Sequence, residues 1–301
     1  MPLVSVVVPA YNAERTLTAT LDSALAQDFS DFEIVVVNDG STDSTKAALD
    51  AYASRVRVID QNNRGVSAAR NAGVSASSGQ LIAFLDSDDL WSADKLTQSV
   101  RALTQNPKAS MVFSDCSGLR PDGTTSTFYS FRGAPSLDEM LNDGFEAVPS
   151  AVMMRREVFD ACGGFSGKFV PNYFEDLWLW FLVRERGEFE YIPKELTTLR
   201  LRGKPPAAWY FANGRIFLDL LRERYGRRAR GVIRQTYKHL AGVAMHEALR
   251  RLDAGDRRGA LSWWLFAIRL SPALMADKQL AARIFRVRNL RRLGRIFSRT
   301  S

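Results

Sequence analysis

Phe84-Leu85-Asp86-Ser87-Asp88-Asp89-Leu90-Trp91 places three carboxylates within four positions at the end of an apolar run. The run, Leu81-Ile82-Ala83-Phe84-Leu85, is entered from Ser78-Gly79-Gln80 and has the length of one buried strand of a parallel sheet. Asp86 to Asp89 then emerge at its carboxyl end, the edge of an open α/β sheet where ligands collect. Neighbouring carboxylates repel, so one is driven toward protonation unless a divalent metal or a positive partner offsets the charge. Hard oxygen ligands, few in number, suit Mg²⁺ or Mn²⁺ with water and phosphate oxygens completing the shell. The competing reading is a polar loop whose aspartates cap the helix begun by Ser92-Ala93-Asp94-Lys95-Leu96.

Upstream of this run, strand and helix patterns alternate, which argues for a mostly parallel sheet covered by helices. Val4-Ser5-Val6-Val7-Val8 is a β-branched strand stopping at Pro9, and residues 16–26 carry Leu17, Leu21, Ala24 and Leu25 on one helical face. A second strand, Phe32-Glu33-Ile34-Val35-Val36-Val37, ends at Asn38-Asp39-Gly40-Ser41. A helix over 42–53, a third strand Val56-Arg57-Val58-Ile59 and a helix over 67–76, followed by the Leu81 strand, complete a β-α-β-α-β-α-β order. From Met111 the pattern predicts short, irregular strands at 111–113, 128–131 and 151–154, then a helix over 174–186 and a strand at 189–192. Pro205-Pro206 is the clearest linker signal and divides the chain at 1–204 and 205–301. The second part reads as helical almost to its end, broken at Gly226, Gly255 and Ser271-Pro272.

The chain has 301 residues, 46% hydrophobic and 25% charged, ordinary values for a folded globular protein. Cys116 and Cys162 carry no ligand spacing and no disulfide framework, which fits a reducing cytosol. No apolar run approaches the about 20 residues needed to span a bilayer, and Met1-Pro2-Leu3-Val4 leads straight into a strand without a basic leader, so neither signal peptide nor membrane anchor is expected. The net charge of +8 conceals an asymmetry: residues 1–221 hold 21 basic and 28 acidic side chains, residues 222–301 hold 20 and 5. The two parts therefore face different surroundings.

Three further motifs sit at strand ends. Pro9-Ala10-Tyr11-Asn12-Ala13-Glu14 follows the first strand, where polar backbone and an aromatic ring suit a flat base and its sugar, or form a Pro-terminated turn. No GxGxxG accompanies it. Asp39 ends the second strand, where a carboxylate can accept from a base N–H, with Ser41 or Thr42 available to cap the next helix. The stretch from Asn62 to Asn71 adds Arg64 and Arg70, the latter on a helix after a Gly turn, suited to a base or phosphate or to a surface salt bridge.

Taken together, residues 4–12, 35–43, 63–73 and 86–89 resemble the family 2 glycosyltransferases, inverting enzymes of the α/β GT-A fold. The likeness is strong over residues 3–100 and looser over 150–204. It implies a nucleotide-diphosphate sugar donor, a divalent metal held by an Asp-x-Asp motif, and transfer with inversion. Pro9, Ala10, Tyr11, Glu14, Asp39 and Arg70 match positions that line the nucleotide in the family. Asp86 matches the acid near the ribose and Asp88 the metal ligand, with Asp89 supporting the pair or capping a helix.

An acceptor hydroxyl is a poor nucleophile until its proton is taken during attack, so a base is required. Glu175-Asp176-Leu177-Trp178-Leu179-Trp180, following Gly163-Gly164-Phe165, resembles the family's Glu-Asp motif. Asp176 is the favoured base and Glu175 the alternate, because adjacent helical residues point about 100° apart. The plainer reading is an acidic helix N-terminus set against its dipole. The departing diphosphate also needs neutralising, and Arg202 and Lys204 in Arg200-Leu201-Arg202-Gly203-Lys204 are placed to close over it. A histidine stands near the Arg202 position in many members of the family, but not in this chain.

Residues 278–301 intersperse Leu280, Ile284, Val287, Leu290 and Ile296 with seven arginines, a basic amphipathic pattern suited to anionic lipid headgroups or to a solvated helix. No nucleic-acid-binding motif accompanies that charge. The expectation is a cytoplasmic enzyme, peripheral at the inner membrane face, that moves a sugar from an NDP-sugar, UDP-linked by preference, to a hydroxyl of a glycan or lipid-linked acceptor, as in cell-surface polysaccharide synthesis. Its alternatives are a metal-dependent nucleotidyltransferase and a non-catalytic, membrane-associated binding module.

Overall fold

The computed structural model describes residues 1–170, 173–201 and 206–271. The chain forms two compact units, Met1–Lys204 and Pro205–Ser301. The first is built, in order, from β1 (Val4–Ala10), α1 (Leu17–Leu25), β2 (Phe32–Asp39), α2 (Thr45–Asp50), β3 (Arg57–Gln61), α3 (Val66–Ser75), β4 (Leu81–Phe84), β5 (Leu90–Trp91), α4 (Lys95–Gln105), β6 (Ala109–Leu119), β7 (Thr125–Tyr129), α5 (Leu137–Asp143), β8 (Val152–Arg155), α6 (Arg156–Cys162), α7 (Glu175–Arg184) and β9 (Glu188–Arg200).

One sheet runs through this unit in the order β3-β2-β1-β4-β8-β6-β9-β5, with β7 paired to β6. β1, β2, β3 and β4 pair in parallel, while β8 joins β4 and β6 antiparallel. Because β2 and β4 flank β1 on opposite sides, the chain reverses its lateral progress there, and such a switch point opens a crevice at the carboxyl ends of the strands. Register aligns those ends: Ala10 lies opposite Asn38, and Asp39 opposite Gln61. The loops that leave β1, β2 and β3 therefore emerge at one edge.

Alternation along the strands assigns the two faces of the sheet. Val4, Val6 and Val8 join Ile34, Val36, Leu81, Ala83 and Leu85 in a core shared with Leu17 and Leu21 of α1 and Leu96 and Leu103 of α4. Each such side chain contributes about 1.5–3 kcal/mol on burial. On the other face Gly73 of α3 sits against Val7, where a Cβ would come within 2.4 Å of Val7 Cγ1, so only glycine admits this approach of helix to sheet.

Several expected elements change length. The helix expected over 42–53 shortens to Thr45–Asp50, because Thr42 and Asp43 are engaged by the loop after β1. Of the short strands expected after Met111, those at 128–131 and 151–154 appear as β7 and β8, whereas those at 111–113 and 189–192 lengthen into an 11-residue β6 and a 13-residue β9, paired in parallel with register shifts around Ser114 and Asp115. Cys116 is buried on β6, which pushes its thiol up to about 12, and it stays protonated.

The second unit consists of α8 (Ala207–Tyr225), α9 (Arg230–Asp253) and α10 (Arg257–Leu270). Gly226 and Gly255 end α8 and the α9 turn in left-handed conformations (φ 54° and 82°). Trp264 is fully buried against Ala244, Met245 and Ala248, so α10 packs on α9, whereas Leu265 and Phe266 stay exposed. His239 and His246 are exposed residues of α9. No helix among the described residues is long and apolar enough to cross a membrane. Arg202, Lys204 and the basic segment 278–301 lie outside the described residues.

Candidate active site

The carboxyl edge of the sheet is laced together by side chains from different loops. Asn12, in the left-handed region (φ 50°), donates its backbone N–H to Ser41 Oγ (3.1 Å) and accepts at Oδ1 from Thr42 N (2.8 Å). Ala13 N donates to Thr45 Oγ1 (2.7 Å), and Glu14 Oε2 accepts from Ser44 N (3.0 Å). Ser41 and Thr42 thus serve the β1 loop, not a helix cap as the sequence allowed; the N-cap of α2 is Ser44. Pro9 and Ala10 are buried at the end of β1, whereas Tyr11 is 50% exposed at the mouth of the crevice.

Asp39 is buried and fully engaged. Its Oδ1 accepts from Gln61 Nε2 (2.7 Å) and Arg64 N (2.9 Å), and its Oδ2 from Gly65 N (2.8 Å). The carboxylate therefore shapes the turn that launches α3. Gly40, at φ 71°, lets this turn close, since a Cβ there would lie 2.7 Å from Asn63 N.

The acid loop is fixed from four directions. Leu85 N continues the pairing to Val7 O (3.0 Å), Asp89 N closes a turn on Asp86 O (3.0 Å), and Thr16 Oγ1 donates to Ser87 O (2.8 Å). The fourth support, which sequence reasoning missed, is Ser150 in the 3₁₀ turn Pro149–Ala151. Its hydroxyl accepts from Asp86 N (3.0 Å) and donates to Asp89 Oδ2 (2.6 Å), while its carbonyl accepts from Trp91 Nε1 (2.7 Å) and Thr197 Oγ1 (3.1 Å). Fully buried Lys95, with burial drawing its amine down to about 8, donates to the next carbonyl, Ala151 O (2.7 Å). A lone serine before an apolar strand carries no spacing signal. Ser150→Ala leaves Asp89 and the Asp86 N–H short of a partner, and should lower stability by about 1–3 kcal/mol in a denaturant titration. An unchanged midpoint would remove Ser150 from this role.

Within the loop the three acids differ. Asp86 and Asp88 are partly exposed, whereas Asp89 is buried. Burial first, and then the charges of Asp86 and Asp88, drive its carboxyl well above the usual range. Asp89 also accepts from Arg200 N (3.2 Å), so it pins the end of β9 and caps no helix.

Arg70 is neither a surface salt bridge nor a free reader of phosphate. It is 3% exposed; Nη2 donates to Asp86 Oδ1 (2.7 Å), Nη1 donates to Glu175 Oε1 (3.1 Å), and the guanidinium lies over the Phe165 ring at 5.0 Å. Burial works against its charge, but Asp86 and Glu175 more than offset this and hold it protonated. Phe165 is placed by Asn71 of the same helix, which donates to Phe165 O (2.8 Å) and accepts from Phe165 N (2.9 Å). Gly164, at φ 70°, stands against Asn71 and permits this clamp.

Glu175 and Asp176 open α7, preceded by Phe174 in the left-handed region (φ 71°), a costly geometry for a bulky residue that often marks functional sites. Burial raises the Glu175 carboxyl despite Arg70. Asp176, partly exposed beside it, is pushed up to about 8 by desolvation and then by the Glu175 charge. The structure thus joins Arg70, Asp86 and Glu175 directly, with Asp176 adjacent on the helix and Asp88 on the loop. Glu14 and Asp39 are committed to neighbouring loops.

Among the described residues, no three His, Cys, Asp or Glu side chains form a complete metal cage. The donor set is nevertheless all oxygen, with Asp86, Asp88 and Asp89 crowded within four positions and Asp86 and Asp88 partly exposed. That chemistry fits a hard divalent cation carrying most of its shell as water and phosphate oxygens.

Residues 5–163 match the family model described as "Glycosyl transferase family 2". An uncharacterized glycosyltransferase of Rickettsia bellii (strain RML369-C) is 30% identical over 205 residues, 66% of this chain and 29% of that protein. The Escherichia coli UDP-Glc:alpha-D-GlcNAc-diphosphoundecaprenol beta-1,3-glucosyltransferase WfgD is 39% identical over 106 residues, 35% of this chain and 42% of that protein. The chain therefore spans less than half the length of either curated relative. Among solved structures, S. aureus TarS 1-349 in complex with UDP superposes with a TM-score of 0.60 at 20% identity, covering 94% of this chain and 87% of that one. Mannosyltransferase PcManGT from Pyrobaculum calidifontis, in complex with GDP-Man and Mn2+, does so with a TM-score of 0.58 at 18% identity, covering 94% and 85%. The folds are shared, and the α/β GT-A expectation holds.

Proposed function

The chain belongs to glycosyl transferase family 2, and on that premise we propose that it transfers a sugar from a UDP-sugar to a hydroxyl of a glycan or lipid-linked acceptor, with inversion at the anomeric carbon, as part of cell-surface polysaccharide synthesis. The observation that carries this reading is the bridge from Asp86 through Arg70 to Glu175, which sets the base-bearing start of α7 across from the acid loop. UDP as the nucleotide is supported by the donor in the name of the E. coli relative and by the UDP complex of TarS. We take residues 1–204 as the catalytic unit and residues 205–301 as a basic helical region whose 278–301 segment meets the inner membrane face from the cytoplasm.

In this reading the crevice beside Pro9, Ala10, Tyr11, Glu14 and Asp39 takes the nucleoside, and Asp86 lies toward the ribose. Asp88 would hold Mg²⁺ or Mn²⁺, which when bound supplies positive charge to the diphosphate oxygens. The Asp176 carboxylate removes the acceptor hydroxyl proton while that oxygen bonds to the anomeric carbon on the face opposite the departing diphosphate. The carbon–oxygen bond to phosphate breaks and nucleoside diphosphate leaves. Arg202 and Lys204 stand two and four positions after Arg200 in the sequence, and Arg200 donates its backbone N–H to Asp89. They are assigned to neutralising the departing diphosphate.

A donor screen reading metal-dependent release of nucleoside diphosphate tests the activity, and pyrophosphate as the product would instead indicate nucleotidyl transfer. Asp88→Asn should cut Mn²⁺-dependent UDP binding, read by calorimetry, at least tenfold while leaving the melting temperature close to that of the parent. Equal UDP affinity with and without Mn²⁺ in the parent would remove the metal from the reading.

A further inference from the structure

The second unit holds a cavity of about 680 Å³ with no part in the chemistry above. Its wall is a stripe of α9, Arg230, Ile233, Arg234, Tyr237 and Lys238, which share one face at helical spacing. Arg227, in the turn between α8 and α9, adds a further cation, and Leu270 closes the floor. Arg222 donates to Tyr237 Oη (2.6 Å) and pairs with Asp219 (2.9 Å), so its own charge is met. Arg227, Arg230, Arg234 and Lys238 have no ion pair among the described residues. Four exposed cations around one hollow, with no acid paired to them among the described residues, give it a positive potential that attracts anions.

The apolar parts narrow the chemistry. Ile233, Leu270 and the Tyr237 ring line the floor, a feature of no use to a small hydrated anion. Phe266 lies one turn from Leu270 on the same face of α10 and is 37% exposed, with Leu265 exposed beside it. We propose that this cavity binds the phosphate-bearing headgroup of an anionic lipid, with arginine guanidinium groups on the phosphate oxygens and the apolar floor and Phe266 against the first carbons of the chains. Guanidinium suits phosphate because its planar N–H groups pair with two oxygens at once. This site is separate from the membrane contact assigned above to 278–301, and that segment stays in place in every variant below.

The test is sedimentation of the full chain with phosphatidylcholine vesicles with and without phosphatidylglycerol. Arg230→Glu/Arg234→Glu should weaken binding to the anionic vesicles about 30-fold. Arg215→Glu/Arg258→Glu, with the same change of charge on exposed positions outside the cavity, should weaken it less than about threefold, since screened charges away from the contact matter little. Helical circular dichroism confirms that both fold. Equal loss in the two variants, or none in the first, overturns the cavity and leaves the 278–301 contact as a separate question. Calorimetry with inorganic pyrophosphate separates the two sources of phosphate: no saturable binding below millimolar concentrations supports the lipid. Micromolar pyrophosphate binding that Arg230→Glu/Arg234→Glu abolishes overturns it in favour of a soluble ligand.

Discussion

Replacing Asp176 with Asn lowers sugar transfer by about 10²–10⁴-fold, the usual contribution of a positioned base, while the protein becomes more resistant to heat at alkaline pH. Both effects come from one carboxyl. Desolvation and the neighbouring Glu175 charge push Asp176 up to about 8, so in the parent the base form fills in as pH rises through that value, and transfer rises with it. The stability sign is the reverse. An acid whose folded value stands above its ordinary 3.8 contributes stability that is fully present below 3.8 and is lost as pH rises through about 8. Asparagine never ionises, so the variant escapes that loss. Its melting temperature should match the parent near pH 4 and exceed it at pH 8.5, with each kcal/mol regained worth about 2–4 °C in a domain of this size. A flat activity profile in the parent, or a variant less stable at pH 8.5, would refute the assignment of the base.

Arg70→Met is expected to be the most destabilising single change at this site. A buried cation shared by two acids cannot be removed without leaving both uncompensated, a cost of about 3–5 kcal/mol. That corresponds to a fall of roughly 6–20 °C in melting temperature. The deficit should shrink as pH falls and Glu175, whose carboxyl burial already raises, takes up a proton. Arg70→Lys retains the charge but cannot span Asp86 Oδ1 and Glu175 Oε1 at once, so it should fall between parent and Met. A Met variant as stable as the parent at pH 7.5, by thermal denaturation, would show that the bridge carries no energy.

Much of the fold is legible in the amino-acid sequence. The first four strands are short, apolar and bounded by turn residues, and each delivers its motif to the same edge because parallel strands with aligned ends leave no alternative. After Met111, β7, β8 and α7 are legible, but the length of β9 is not, for a physical reason. β9 contains Pro193, which has no N–H to donate, and the charged Lys194 and Glu195, on a strand whose pairing with β6 slips in register, so no clean alternation marks it. Residue roles were least legible where partners are distant in sequence. Arg70 meets Glu175 across 105 positions, and Asp89 meets Ser150 across 61. A charged residue after a glycine turn looks solvated until the element that buries it is in place. Asp39 illustrates the same limit: its position at a strand end was readable, but its commitment to the backbone N–H groups of Arg64 and Gly65 was not.

The bridge through Arg70 also constrains how the sequence can drift. One cation answers to two acids from separate parts of the chain, so none of the three positions can change charge alone without a heavy penalty. Among related chains, a neutral residue at the Arg70 position should be accompanied by a neutral residue at the position of Asp86 or Glu175, and descent should pass through the acid first. Substitutions at Glu14 and Tyr11, which lie outside the triad, should accumulate independently of it.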